Sequence, residues 1–321
     1  MLTQYKNIIV AGQGAMGLLW YHHIAQTLNQ NNFNKVTLLS SKQSLVAEEQ
    51  ERNSTYEFCA YQEQQGYAYP LIYSSEQDIS HADVLMLCLK SVHIVDTIKK
   101  VAKKIKPHCL LILAHNGLGV FESIEKFLVP QQVVMTLLTT HGCLRHTPLV
   151  IEHTGKGSSD IGLLTGNLTP RLINGLINQL QVALPTVTYH EKIIEKQWLK
   201  LAVNCVINPI TAINDVDNGE LCNKQYDTQI TKLLTEIVQV SHSQGVIFKL
   251  QDLQQTIQQV ALATAKNCSS MRSDVLAGNT TEVDNINGYI HYLGQTHQIA
   301  TPENSRLWQQ VRSLTDVTTK K

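Results

Sequence analysis

Short apolar runs closed by glycine or polar residues alternate with helix-spaced apolar stripes through the first half of this chain, and stripes alone fill the rest. Asn7–Ala11 and Lys35–Leu39 read as strands. Val84–Leu89 and Leu110–Ala114 are continuous apolar runs, the pattern of central parallel strands covered on both faces, and Val133–Leu138 repeats the arrangement. Leu18, Leu19, Tyr21, Ile24, Ala25 and Leu28 recur at helical spacing after the first run. Residues 54 to 73, with Tyr56, Phe58, Tyr67 and Tyr69 and a Gln-Gln-Gly turn, predict a hairpin, and residues 149 to 164 predict a polar hairpin around Gly155-Lys-Gly157. Thr169-Pro170 is an N-cap and first-turn pair for a helix bearing Leu172, Ile173, Leu176, Ile177 and Leu180. Pro185–His190 is the last strand-like piece. Beyond it the pattern is helical only, which sets a domain boundary near residue 190.

The most unusual helix opens that second half. Leu199, Val203, Val206, Ile207 and Ile210 form one stripe, while Trp198, Leu201, Ala202 and Cys205 cover most of the remainder, so the helix is apolar nearly all round. Yet Lys200, Asn204 and Asn208 recur every four residues as a polar row. Burying an unpaired amide costs about 1–3 kcal/mol, so the row needs either an internal hydrogen-bond network or a ligand. Pro209 predicts a bend or an end, followed by a turn at Asn214–Gly219. Further helices are expected through Ile230, Leu233, Leu234, Ile237 and Val238, and from about Leu253 to Ser270. Another follows Thr281, which with Asp284 reads as a capping pair, and the last starts at Thr301-Pro302. Glu282 then falls in a first turn, where the helix dipole by itself accounts for a carboxylate.

With 321 residues the chain exceeds one usual core, in agreement with two domains. Lys+Arg balances Asp+Glu at 26 each, so no global field attracts nucleic acid or an anionic membrane, and small molecules are the expected partners. The opening residues show no charged start before a long apolar core, and no apolar run is long enough to span a bilayer, which reads as cytoplasmic. Seven scattered cysteines with no Cys-x-x-Cys, and thirteen histidines with no His-Glu-x-x-His, argue against a disulfide framework and support no metal site.

Candidate chemistry enters at the first strand, which runs straight into Gly12-Gln13-Gly14-Ala15-Met16-Gly17 and then a helix. The demand is for a tight turn at Gly12, close backbone approach to a pyrophosphate at Gly14 and close packing at Gly17, with phosphate at the helix N-terminus. The alternative is a glycine turn serving packing alone. The second strand ends in Ser40-Ser41-Lys42, where an enzyme using NAD usually carries Asp or Glu. Hydroxyls and an ammonium there favour NADP over NAD, the lesser alternative being that Lys42 is only a solvated loop residue. Lys90, His115-Asn116-Gly117 and Thr139-Thr140-His141 each close an apolar run, and ligands of such sheets bind outside the carboxyl ends of the strands. The lysines at 99, 100, 103, 104 and 106 read as a solvated face. The fold class is thus an α/β N-terminal Rossmann-like dinucleotide-binding domain, residues 1–190, followed by an all-α C-terminal domain, residues 191–321.

These motifs together resemble the ketopantoate reductase (2-dehydropantoate 2-reductase) family over essentially the whole chain. The likeness rests on the glycine turn, Leu89-Lys90, His115–Gly119, Thr139–His141, Lys200–Pro209, Asn218–Leu221, Ser269–Met271, Thr281–Asp284 with Ile286–Gly288, and Pro302–Asn304. It implies reduction of 2-dehydropantoate to pantoate with NADPH, on the way to pantothenate and coenzyme A, by a monomer or homodimer. By position, Lys200 is similar to the family's proton donor, and Asn116, Asn204, Asn208, Asn218 and Ser270 to its substrate-binding groups. Gly12, Gln13, Gly14, Ala15, Met16, Gly17, Lys90, Asn116, Cys143 and Glu282 fall where the family contacts its cofactor, and Glu282 is the candidate carboxylate for keeping Lys200 charged. Ser41 stands where the family has an arginine, with Lys42 adjacent.

Overall fold

In the computed structural model, which describes residues 5–27, 35–40 and 53–318, the first apolar run forms β1 (Asn7–Ala11) and the glycine turn leads into α1 (Ala15–Gln26). There follow β2 (Lys35–Leu39), β3 (Asn53–Cys59), β4 (Gly66–Ile72), α2 (Glu76–His81), β5 (Val84–Leu87) and α3 (Ser91–Val101). Next come β6 (Leu110–Leu113), α4 (Val120–Ile124), β7 (Val134–Thr139), β8 (Gly142–Thr147), β9 (Val150–Gly155) and β10 (Ser159–Thr165). α5 (Pro170–Ala183) and β11 (Val187–Tyr189) complete the strand-bearing half, and the Thr169 hydroxyl caps α5 by accepting from the Leu172 N–H.

Among the described residues the strands form a seven-stranded sheet, ordered β11-β10-β7-β6-β5-β1-β2, and a four-stranded sheet, β4-β3-β9-β8. β2, β1, β5, β6 and β7 run parallel, and β5, β6 and the first five residues of β7 are wholly buried, as their mainly apolar sequences require. The order reverses at β1, whose neighbours are β2 on one side and β5 on the other, so the carboxyl ends of β1 and β5 form the switch point. The hairpin expected at 54 to 73 is present as β3 and β4. The one expected at 149 to 164 is not: β9 pairs with β8 and β3, while β10 crosses to the main sheet and pairs antiparallel with β7. The crossing occurs at Gly157, where an added Cβ would lie 2.4 Å from the Thr140 carbonyl carbon, a backbone approach only glycine permits.

The small sheet packs aromatics and histidines against α1. His22, 5% exposed, stacks on Phe58 with centroids 3.7 Å apart and sets Nδ1 2.8 Å from the Tyr56 hydroxyl. Burial, then the neighbouring His23 and His153, pushes the His22 pKa down to about 3. Burial, then His153 and His141, brings His23 to about 4.

The remaining helices are α6 (Ile193–Asn214), α7 (Asp227–Ser243), α8 (Leu250–Ala263), α9 (Ser270–Leu276), α10 (Asn287–Thr296) and α11 (Pro302–Thr318). Among the described residues no helix is long and apolar enough to cross a membrane. The chain divides into two compact units, Met1–His115 with Phe121–Ile193, and Asn116–Val120 with Ile194–Lys321. The second unit therefore takes in a short piece of the first half. Leu118 and Asn285 hold it, through Leu118 N–H to the Asn285 carbonyl at 2.9 Å and Asn285 Nδ2 to the Leu118 carbonyl at 2.9 Å.

α6 runs through Pro209 to Asn214, so the end expected at Pro209 does not occur. A proline removes the N–H that would bond the carbonyl four residues back, here that of buried Cys205. Asn287, fully buried, supplies the missing donor: its Nδ2 reaches the Cys205 carbonyl at 2.9 Å and also Asn304 Oδ1 at 3.0 Å. Asn304 Nδ2 in turn donates to Glu236 Oε2 at 2.8 Å, and the Glu236 carboxylate accepts the Glu303 and Asn304 N–H groups in the first turn of α11. A single polar network thus ties α6, α7, α10 and α11. The expected Thr281–Asp284 cap is absent. Residues Val283–Asn285 form a 3₁₀ turn, α10 starts only at Asn287, and Asp284 instead accepts from Trp308 Nε1 at 2.6 Å.

Two stability predictions follow from this packing. Asn287→Ala leaves several buried groups unpaired and is expected to cost about 2–4 kcal/mol, read from urea midpoints. In a Pro209→Ala background, where the N–H is restored, the same change should cost less. On acidification, the unfolded chain takes up protons near the ordinary histidine pKa of 6.5, whereas folded His22 and His23 accept them only near about 3 and about 4. Stability is therefore full above about pH 6.5 and falls steadily below it. The thermal midpoint should drop across that window, with a shallower slope in His22→Phe.

Candidate active site

The glycine turn lies at the switch point of the large sheet. Gly12 has φ +120°, and a Cβ on it would sit 2.4 Å from the Cys88 carbonyl oxygen; a Cβ on Gly17 would sit 2.1 Å from the Gly12 oxygen. These two glycines let β1, β5 and α1 converge. Gly14 differs. Its φ of −76° is unstrained, nothing lies within 4 Å of a Cβ placed on it, and it is the N-cap of α1 with no side-chain cap. An uncapped, positively polarised helix start beneath open space is what a pyrophosphate needs, so the residues present fit a dinucleotide. Gln13, Ala15 and Met16 complete the turn and the start of α1. Gln13 Nε2 bonds the Tyr73 hydroxyl at 2.6 Å, and Ala15 gives its carbonyl to the Cys143 thiol at 3.4 Å. Burial, then Glu152, pushes Cys143 up to about 12, so it serves as a neutral donor.

Lys90 is half-buried and occupies the N-cap position of α3, three residues after the end of β5. Ser41 and Lys42 lie outside the described residues. His141, expected to bring a polar group to the strand ends, instead buries its ring beside His153, Nδ1 to Nε2 3.2 Å, and accepts the Gly157 N–H at 3.2 Å. Sequence reading passed over Arg145, whose Nη1 lies 3.4 Å from the Gln13 carbonyl. An exposed arginine in a polar strand carries no pattern that would single it out.

In the second unit Lys200 and Asn204 are half-buried on α6, and Asn208 is 7% exposed. Asn116, placed in this unit by the 116–120 segment, donates from Nδ2 to Glu282 Oε2 at 3.0 Å. Glu282 is thus not a first-turn residue of a helix; it precedes the 3₁₀ turn and turns its carboxylate to a residue 166 positions away. Gly117, with φ +83°, is required there because a Cβ would meet the Asn285 carbonyl oxygen at 2.3 Å. Ser270 is the exposed first residue of α9. Its neighbour Ser269 caps that helix by accepting from the Arg272 N–H at 3.1 Å, and the Ser269 and Thr211 hydroxyls lie 2.7 Å apart, which seats this segment on the last turn of α6, beyond Asn208. Arg272 also grips Asp215, at 2.8 Å, and Asp217, so the turn bearing Asn218 is clamped to α9. Asn218 is 7% exposed and its Oδ1 is buried without a hydrogen-bond partner.

A doubly wound sheet with a phosphate-type glycine turn, joined to a helical unit rich in buried amides, defines the class of two-unit dinucleotide-binding oxidoreductases. Family models described as "Ketopantoate reductase PanE/ApbA" and "Ketopantoate reductase PanE/ApbA C terminal" match residues 8–166 and 192–315. The chain belongs to the ketopantoate reductase family. It is 32% identical over 311 residues to the 2-dehydropantoate 2-reductase of Vibrio cholerae, covering 96% of this chain and 97% of that one. Among solved structures it is similar to a D-mandelate dehydrogenase with NADH and anilino(oxo)acetate (TM-score 0.85, 20% identity, 97% and 99% of the two chains). It is similar also to a dimeric ketopantoate reductase from Staphylococcus aureus (TM-score 0.79, 20% identity, 97% and 99%).

The contrast among the glycines can be tested. Gly14→Ala should change stability by about 1 kcal/mol or less, since the added methyl meets nothing, yet weaken binding of the reduced dinucleotide, NADH or NADPH, at least about 10-fold in a fluorescence titration. Unaltered dinucleotide affinity in a well-folded Gly14→Ala protein would count against phosphate at this turn.

Proposed function

We propose that this protein reduces 2-dehydropantoate to pantoate, a step toward pantothenate and coenzyme A, with NADPH as hydride source and Lys200 as proton donor. The observation that carries this reading is the full-length likeness to a 2-dehydropantoate 2-reductase, 32% identical, against 20% for the D-mandelate dehydrogenase of similar fold. In bound form the nicotinamide supplies the hydride. The chain's own residues do the rest. Gly12 to Gly17 hold the phosphates against the start of α1, with Lys90 and Cys143 beside the nucleotide, and Ser41 and Lys42 answer the 2′-phosphate that separates NADP from NAD. As the ketone becomes an alkoxide, the Lys200 ammonium stabilises it and delivers the proton. Glu282 keeps that lysine charged, and its hydrogen bond from Asn116 fixes the carboxylate in place. Asn204, Asn208, Asn218 and Ser270 hold the keto acid by neutral groups, which adds no charge to compete with the lysine.

The D-mandelate dehydrogenase likeness supports a second reading, a reductase of another branched 2-keto acid. NADPH oxidation with ketopantoate, 2-ketoisovalerate and phenylglyoxylate separates the two: kcat/KM highest for ketopantoate is expected, and a higher value for either of the others would overturn the first reading. Lys200→Ala should retain NADPH affinity and lose at least about 100-fold in kcat. Turnover near that of the unaltered protein would remove Lys200 from its role.

A further inference from the structure

Asn218 is held from three sides. Its N–H bonds the Asn267 carbonyl at 3.1 Å, the Gly219 N–H bonds the Ala265 carbonyl at 3.1 Å, and its side-chain Nδ2 bonds Thr264 Oγ1 at 3.0 Å. Gly219 permits this lacing, because a Cβ there would sit 2.7 Å from the Ala265 Cβ. Thr264, immediately after α8, brings its hydroxyl 2.7 Å from the Val260 carbonyl. A hydroxyl has one proton, and a carbonyl only accepts, so that proton is committed to Val260. Toward Asn218 the Thr264 oxygen is left as an acceptor. The amide must therefore turn its NH₂ to Thr264, and Oδ1 points the other way, buried and without a partner. A buried carbonyl oxygen of this kind is deficient by about 1–3 kcal/mol until a donor reaches it. In a 2-keto acid the carboxylate and the ketone are acceptors. Only a hydroxyl on the substrate can donate.

We propose that Thr264 is a positioning residue that sets the polarity of the Asn218 amide, so that this part of the site takes a hydroxyl donor and disfavours keto acids that lack one. The inference rests on the ketopantoate reading and deepens it, since ketopantoate carries one alcohol and its analogue 3,3-dimethyl-2-oxobutanoate differs only in lacking it. Thr264→Val keeps the branched shape and removes the hydroxyl; the Val260 carbonyl still receives the backbone N–H of residue 264, at 3.0 Å here. The amide is then free to turn over.

The test is steady-state NADPH oxidation by the full-length protein with both keto acids. In Thr264→Val the KM for ketopantoate should rise about 10-fold, with kcat within about 3-fold, and the KM values for NADPH and for the hydroxyl-free analogue unchanged. Thr264→Ser should restore the KM to within about 2-fold, and Thr264→Val should add nothing in an Asn218→Ala background. Equal losses on both keto acids, or a ketopantoate KM within about 2-fold of the unaltered protein, would overturn the proposal. If circular dichroism shows Thr264→Val to be misfolded, Thr264→Ala against Thr264→Ser is read by the same criteria. An unaltered protein that does not turn over ketopantoate removes the underlying reading; an active one whose KM ignores Thr264 removes only this inference.

Discussion

The hydrogen bond from Asn287 to the Cys205 carbonyl is the contact on which the helical unit depends. α6 carries the polar row Lys200, Asn204 and Asn208, and immediately after that row Pro209 removes a backbone donor inside the core. Left alone, the Cys205 carbonyl would be a buried acceptor facing apolar side chains, and a helix in that position bends or stops. Asn287 fills the gap, and because Asn304 and Glu236 complete its network, the repair also fixes where α10 and α11 start. The motif residues at 286–288 and 302–304 thus acquire a physical reason that owes nothing to substrate. They support the helix that bears the polar row.

Because α6 continues through Pro209 to Asn214, the turn that follows can be built against it. Arg272 clamps Asp215 and Asp217, Ser269 meets Thr211, and Asn218 is laced to the chain end of α8. Each of these uses a residue type with little freedom: a planar guanidinium, a hydroxyl with one proton, an amide with two distinct ends. Amides and hydroxyls make these contacts without adding charge to the helical unit.

The strand-bearing unit solves a different problem with glycine. Gly12 and Gly17 remove side chains where three elements meet, while Gly14 leaves space over an uncapped helix. Burial on the far face of α1 then does two things: it holds His22 and His23 neutral, and it places Cys143 as a neutral thiol beside the turn.

Much of this was legible beforehand because it is local. Unbroken apolar runs marked the central strands, three glycines at fixed spacing marked the turn, Thr169-Pro170 marked a helix start, and the four-residue recurrence of Lys200, Asn204 and Asn208 marked a polar row. What remained hidden depends on partners distant in sequence. Nothing near Pro209 reveals that a donor at position 287 will rescue the helix, and nothing near Glu282 reveals Asn116. The stretch from 149 to 164 reads as a hairpin because alternation records which face of a strand is covered, not which strand lies beside it. Glu282 and Asp284 read as cap residues because carboxylates beside a helix start are explained locally until a tertiary partner claims them. Pattern along the chain therefore decided the elements and the residue types of the site. The polarity of Asn218, the partner of Glu282 and the survival of α6 through Pro209 were decided only when the chain folded, since a hydrogen bond depends on distance in space.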